Sequence, residues 1–446
     1  MKDFTQGNIT KHLLLFALPM LIGSVFQQFY SLADAIIVGR FVGGGALAAI
    51  GIANIAFWFL TSLVIGLTTG SSIVISQLYG GKEIERMKRA TATSIVFLLL
   101  FSVLISVLGV FLAPSILRLL DVPADIMAET QLYMQIILGG MIFNTFYNMF
   151  TSYLRALGEV KTPLYILIFT CLLNVGLNFI VVVHMGLGVG GAAVTTVMSQ
   201  GVAMLLSIIY IRFKVPLLRV KKLQIDKPLL IAILKNGMPA ALQMSLVSIS
   251  SLTITRLINS FGTAAIAGLT AVQRIDHFAI IPVATLSMAL SVFVGQNIGA
   301  FKEERCKQGL KIAMLQSISL AVIMSIIMMI FSRNLVALFI DAEDIHFTEI
   351  ITIGQDYLNI MVIFYFLFAI QFTFNGFLRG VGDAINATLI SLGNLILRVG
   401  SAYFLVHIVR MGPEAIAWSL PFGWLFSCTI GFIYYKKGLW KGKMVT

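Results

Sequence analysis

Apolar runs longer than about 18 residues recur along the whole chain, and they limit the possible folds more than any other feature. The 446 residues are 59% hydrophobic and 11% charged, whereas a soluble protein carries about 25% charged residues. The runs do not show the short alternating segments of a membrane β-barrel. The pattern predicts an all-α polytopic membrane protein with twelve transmembrane helices. The predicted spans cover 13–38, 46–76, 91–113, 132–154, 163–184, 190–211, 229–258, 264–296, 310–332, 353–377, 385–408 and 414–435.

The basic residues alternate between the two sides of these spans. Connectors on the side of the N-terminus hold 24 of the 31 Lys and Arg residues, the opposite connectors hold five, and two lie inside spans. Because cytoplasmic loops of membrane proteins are enriched in Lys and Arg, both termini are predicted to be cytoplasmic. The same clustering explains the net charge of +12 by topology, and we expect no nucleic-acid partner.

The chain also repeats itself at a nearly constant offset. The offsets are 220, 219, 219 and 224 residues, in chain order. Six spans per repeat give both halves the same orientation, so the repeats are parallel. The matched stretches are Pro19 with Pro239, the nonapeptides that end at Asn54 and Gln273, 76–81 with 295–300, and 153–159 with 377–383. We therefore predict an N-terminal six-helix lobe at 1–211, a basic cytoplasmic linker at 212–228 and a C-terminal six-helix lobe at 229–446.

Polar residues in the first lobe share helical faces. Gln27, Tyr30 and Asp34 are three and four residues apart in the first span, so they lie on one face. A carboxylate is costly against lipid, and this face should meet another helix or a wet cavity. Asp34 is either a structural residue near the outer interface or a group that binds protons. Asn174 and Asn178 share a face of the fifth span, where they either join two helices or bond to Asp34.

A second polar group lies in the eighth span, where Arg274, Asp276 and His277 occur together. Arg274 shares a face with His277 rather than with Asp276, so each charged residue needs a partner elsewhere or water. Arg398 of span eleven occupies the repeat position of Asn174 and could pair with Asp276. Charged residues at membrane depth favour a functional site, with a buried structural pair as the alternative.

Several other functions lack their motifs. The three cysteines are widely scattered without a CxxC, so we expect neither a disulfide framework nor a metal site. The sequence contains no H-E-x-x-H, G-x-S-x-G or Walker A motif, which argues against an enzyme or an ATP-driven pump. A repeated filter motif of the kind expected for a channel is also absent. We expect no cofactor.

Five motifs in chain order resemble the multidrug and toxic compound extrusion (MATE) transporters, and among them the DinF-like bacterial branch. The resemblance covers the whole chain, including its length, its spans and its duplication. The motifs are Q-Q-F-Y-S-L-A-D-A-I-I-V-G-R at 27–40, S-Q-L-Y-G at 76–80, Y-L-R-A-L-G at 153–158, N-V-G-L-N at 174–178 with G-A-A-V-T-T at 191–196, and R-I-D-H-F-A-I-I-P at 274–282.

The resemblance implies a V-shaped pair of lobes in the bacterial inner membrane. Such proteins export cationic or amphipathic organic compounds in exchange for protons or sodium, and we expect a monomer with small-molecule substrates and a lipid bilayer around it. It implies a cation or proton site at Asp34, Asn174, Asn178 and Thr196. The residues assigned to the substrate cavity are Gln27, Tyr30, Asn54, Gln273, Arg274, Asp276, His277 and Arg398.

One departure from the family pattern favours protons over sodium. Many relatives carry Asp where this chain has Asn178, and an amide neither titrates nor holds a cation as strongly as a carboxylate. The stretch Pro239 to Arg256 also lacks the acidic residue of the NorM branch. Sodium coupling remains an alternative. A flippase of lipid-linked saccharides in the same superfamily is a second alternative, which Arg274 and Arg398 support and Asp34 weakens.

Overall fold

The computed structural model describes residues 2–220, 222–343 and 345–444. Within these ranges all regular structure is helical, as expected for spans whose backbone groups must be satisfied inside the membrane. Lys221, one of the basic residues of the predicted linker, lies outside the described residues. The helices are α1 Ile9–Phe41, α2 Gly44–Gly80, α3 Ile84–Leu119, α4 Ala124–Gly139, α5 Met141–Ala156, α6 Lys161–Asn178, α7 Gly188–Lys214, α8 Lys227–Asn259, α9 Thr263–Gly299, α10 Glu303–Ile330, α11 Ser332–Ala337, α12 Phe347–Ile363, α13 Tyr365–Val381, α14 Ala384–His407 and α15 Glu414–Lys436.

Ten spans are formed by single helical segments that are long and apolar enough to cross a membrane, counted over the described residues. Two bent helix pairs bring the number to twelve when each pair counts as one span. The prediction of twelve spans is confirmed on that count. Large apolar side chains such as Leu100, Phe111 and Leu315 are exposed on these helices, as lipid contact requires.

The predicted fourth and tenth spans are not continuous helices. Helices α4 and α5 meet at 44°, and α12 and α13 meet at 54°. At the first break, a Cβ atom built on Gly140 would lie 2.5 Å from the side chain of Val197 on α7. Glycine therefore lets α7 approach the break closely. The second break falls at Phe364, and its local sequence offers no comparable explanation.

The duplication is visible in the turns. Gly43 and Gly262, 219 residues apart, both precede the second helix of their half with positive φ angles of 120° and 90°. Lys82 and Phe301, also 219 apart, both adopt φ of 59° after that helix. Since side chains rarely adopt this left-handed conformation, its recurrence at the repeat offset indicates two copies of one local fold.

The chain divides into two compact units that exchange the first turns of two helices. One unit contains residues 2–3 and Pro19–Ala241, and the other contains Phe4–Leu18 and 242–444. The boundaries thus fall beside Pro19 and Pro239, whereas the repeat pattern alone places them at 211 and 229. The reason is packing: the first half of α1 belongs with the second unit, and the first half of α8 with the first.

Contacts with residues 4–7 show how the second unit holds the start of the chain. Phe4 is 1% exposed, and its N–H donates to Gln296 Oε1 over 2.9 Å. The Arg305 guanidinium donates to the carbonyl oxygens of Phe4, Gln6 and Gly7 at 2.7–3.0 Å. Lys302 Nζ donates to the carbonyl of Thr5 over 2.8 Å. These bonds fix a segment that precedes the first helix.

In the first unit, α2 and α8 touch backbone to backbone. A Cβ atom on Gly66 would lie 2.3 Å from the amide nitrogen of Ala241, and one on Gly70 would lie 2.4 Å from that of Gly237. Small residues at such crossings are the usual means by which membrane helices approach closely. The crossing therefore depends on the absence of side chains at these positions.

Gly70→Ala should destabilise the protein by about 1–3 kcal/mol, because overpacking forces the two backbones apart. Gly51→Ala on the same helix is the matched control, since no atom lies within 4 Å of its added methyl group and alanine favours a helix. Thermal unfolding of the purified proteins, followed by size-exclusion chromatography, measures both. Equal melting temperatures for the two variants would contradict the close crossing.

Candidate functional site

The carboxylate of Asp34 lies in α1, about 38 Å along the helix from Ile9 at 1.5 Å per residue. The side chain is half-buried. Its Oδ1 accepts a hydrogen bond from Asn178 Nδ2 on α6, with 2.6 Å between the two atoms. This is the hydrogen bond that Asp34 makes within the described part of the chain. The bond brings together two residues that the sequence assigned to one site.

Asn178 is the hub of this site and is fully buried. Its Nδ2 also donates to Asn174 Oδ1 over 2.9 Å, so both of its N–H donors are used. Its Oδ1 accepts from the hydroxyl of Thr195 on α7. Three helices, α1, α6 and α7, are therefore linked through one amide. The Nδ2 group of the buried Asn174 has no hydrogen-bond partner among the described residues.

The backbone changes conformation directly after Asn178. Helix α6 ends there, and residues Phe179–His184 form a π-helical turn. Such turns interrupt the α-helical ladder and occur often at functional sites. The hub amide thus sits at a joint in its span rather than in a regular helix.

Thr195, rather than the predicted Thr196, contacts the hub. The Thr196 hydroxyl donates to the carbonyl of Ala192 over 2.9 Å and lies 3.5 Å from the hydroxyl of Tyr30, which is at the limit of a hydrogen bond. The sequence holds two adjacent threonines, and only the rotation of α7 decides which one faces α6. Sequence reasoning therefore had no signal for Thr195.

Two other predicted residues of this unit stay outside the network. Gln27 is exposed on α1, and Asn54 is half-buried on α2. Within the described residues, neither side chain is hydrogen-bonded to the Asp34 site. Their assignment to a substrate cavity stays a prediction.

The second unit holds the remaining predicted residues on α9 and α14. Gln273, Arg274 and His277 are exposed, whereas Asp276 and Arg398 are half-buried. The Arg274 guanidinium lies 5.8 Å from the ring centre of Phe339. Arg398 acts electrostatically on Asp276, yet the described residues contain no ion pair between them within 4 Å. The predicted pairing is thus one of proximity without a closed ion pair.

A polar network in the second unit was not predicted. Arg379 donates to Gln243 Oε1 over 2.5 Å, and Gln243 Nε2 donates to the hydroxyl of Ser391 over 2.6 Å. Separately, Asn394 Nδ2 donates to Gln371 Oε1 over 2.7 Å. Isolated amides in apolar spans are the only sequence signal for these bonds, and it does not reveal which amides meet.

The fold and the site together define a polytopic, internally duplicated helical membrane protein with a carboxylate–amide site in one half. Comparison with known proteins agrees. The MatE family model matches residues 19–180 and 239–404, two segments whose starts are 220 residues apart, the offset of the repeat. The chain belongs to the MatE family, and it is a transporter rather than an enzyme.

Two relatives and one solved structure illustrate this similarity. The probable multidrug resistance protein YpnP of Bacillus subtilis is 30% identical over 446 residues, covering 98% of this chain and 97% of the relative. The multidrug export protein MepA of Staphylococcus saprophyticus is 23% identical over 419 residues, covering 94% and 91%. A crystal structure of MATE in complex with MaL6 aligns with a TM-score of 0.91 at 22% identity, covering 98% of each chain. The last comparison confirms the predicted fold.

Thr195→Val should lower transport activity roughly tenfold, because it leaves the buried Asn178 Oδ1 without a donor at a cost of about 1–3 kcal/mol. Thr196→Val is the matched control on the next residue, and its effect should be smaller. Dye efflux from cells with equal amounts of transporter measures both. A larger loss for Thr196→Val would contradict the assignment of the hub partner.

Proposed function

We propose that this chain is a proton-driven antiporter that exports cationic or amphipathic organic compounds from the bacterial cytoplasm. It acts as a monomer in the cytoplasmic membrane, with both termini in the cytoplasm, and needs no cofactor. The names of the relatives as multidrug resistance and export proteins support the substrate class. The distribution of Lys and Arg supports the orientation.

The observation that carries the proposal is the hydrogen bond between Asn178 and Asp34. It places a carboxylate inside a membrane span with an amide, not a cation, as its hydrogen-bond partner. A carboxylate without a counter-charge at membrane depth can be neutralised by a proton or by a cationic ligand. Competition between these two for Asp34 would couple export to proton entry: the substrate binds the deprotonated site, and an entering proton displaces it.

The orientation of the Asn178 amide favours the proton over sodium as the coupling ion. Its Nδ2 faces the Asp34 carboxylate, and its Oδ1 is occupied by Thr195. A bound sodium ion would need oxygen ligands where this donor group lies, because a hard cation is held by oxygen atoms. The site also supplies one carboxylate rather than two, so it offers less negative charge to a metal cation.

Asp34→Asn should abolish dye export driven by a pH gradient, because the amide cannot exchange a proton. The measurement is uptake of the cationic dye rhodamine 6G into proteoliposomes with an imposed pH gradient or an imposed sodium gradient. The wild-type protein should respond to the pH gradient alone. Undiminished pH-driven transport by Asp34→Asn would exclude Asp34 as the coupling site.

Asn178→Asp should introduce a response to the sodium gradient, since it places a second carboxylate 2.6 Å from the first in place of the amide donor. Two carboxylates at this distance repel each other unless a proton or a cation lies between them. The same proteoliposomes report the change. Asn178→Leu is the control, because it removes the amide without adding charge. A sodium response in both variants would argue against this explanation.

A further inference from the structure

Three charged side chains in the second unit are not satisfied by the protein. They are Arg274 and Asp276 on α9 and Arg398 on α14. Within the described residues, none of the three side chains forms a hydrogen bond or an ion pair, and the Nε atom of Arg398 is buried without a partner. An arginine carries five N–H donors and stays charged in proteins. Its donors must therefore be satisfied by something other than this chain.

Two of the charges lie inside membrane spans at similar depth. Arg398 is about 14 Å from the end of α14 at His407, and Asp276 is about 20 Å from the start of α9 at Thr263, at 1.5 Å per residue. Both helix ends are on the side opposite the basic connectors. Charged groups at such depth face the protein interior or a water-filled cavity and mark ligand pathways.

The surroundings of Arg398 are aromatic. Tyr357 is 7% exposed and interacts electrostatically with both Arg398 and Asp276. Tyr357 belongs to a core cluster that also contains Tyr365 and Trp424, and the hydroxyl of Tyr365 is buried without a partner. An unsatisfied guanidinium, an unsatisfied hydroxyl and aromatic rings thus occur in the same unit, as in sites for ligands with a polar group on an apolar body.

We infer that Arg398 binds an oxyanion, a carboxylate or a phosphate, carried by an amphipathic substrate, with Asp276 competing for the same guanidinium. The planar guanidinium fork matches such groups through two parallel hydrogen bonds. Two arginines against one aspartate leave the cluster with a net positive charge. This site differs in sign from the Asp34 site of the other unit. The inference rests on the proposed export of amphipathic compounds.

Two dyes that differ only at a carboxyl group test this site. Rhodamine 19 carries a free carboxylate, and rhodamine 6G is its ethyl ester. Equilibrium binding of each dye to the purified transporter is measured by fluorescence polarisation. Arg398→Gln should weaken rhodamine 19 binding about tenfold, as expected when a charge-assisted pair is lost, and should leave rhodamine 6G binding unchanged. Equal weakening for both dyes, or none for either, would overturn the inference.

Two further variants separate binding from a structural role. Asp276→Asn removes the competing carboxylate, so rhodamine 19 should bind more tightly, whereas loss of a structural partner would weaken both dyes. Arg274→Gln is the matched arginine control, because this side chain is exposed and lies over Phe339. Its effect on rhodamine 19 should be smaller than that of Arg398→Gln. An equal effect would contradict the assignment to Arg398.

The source of the oxyanion is resolved by competition. Short-chain phosphatidylglycerol should displace rhodamine 19 if a lipid phosphate is the natural ligand, and benzoate-bearing amphiphiles should displace it if a carboxylate is. Either displacement must be lost in Arg398→Gln, and displacement that persists there would contradict the site. Binding at equilibrium needs no ion gradient, so this result stands apart from the test of proton coupling at Asp34.

Discussion

The constraint on which the structure depends is the absence of water partners in the hydrocarbon core. Backbone groups meet it by forming helices, and polar side chains meet it by bonding to each other. Asp34 accepts from one amide, and that amide joins α1 to α6 and α7. A single proton on the Asp34 carboxylate would change the bonding of all three helices, because each contributes to the same hub.

The two halves share a fold and differ in chemistry. The repeat position of Asp34 is Ile254, which is 2% exposed and belongs to the apolar core of the second unit. The repeat position of Asn174 is Arg398, a cation without a hydrogen-bonded partner in the described chain. Duplication thus supplied two copies of one helical scaffold, and substitution at matching positions produced sites of opposite charge.

Much of the fold could be predicted from the sequence because hydropathy and charge act locally. Span positions follow from apolar length, and the repeat follows from matched motifs. The bend at Gly140 could not be predicted, because it depends on the approach of Val197 from another helix. The exchange of the first turns of α1 and α8 between units also depends on packing. At the site, spacing placed Asn174 and Asn178 on one face, but the rotation of α7 decided between Thr195 and Thr196.

The central claim is that substrate and proton compete for the carboxylate of Asp34, and proton release on substrate binding tests it most directly. A cationic dye is added to the purified transporter in weakly buffered solution at a pH where Asp34 is partly protonated, and the released protons are followed with a pH indicator. We expect release from the wild-type protein and none from Asp34→Asn, in which dye binding is confirmed separately. Undiminished proton release from Asp34→Asn would contradict the account.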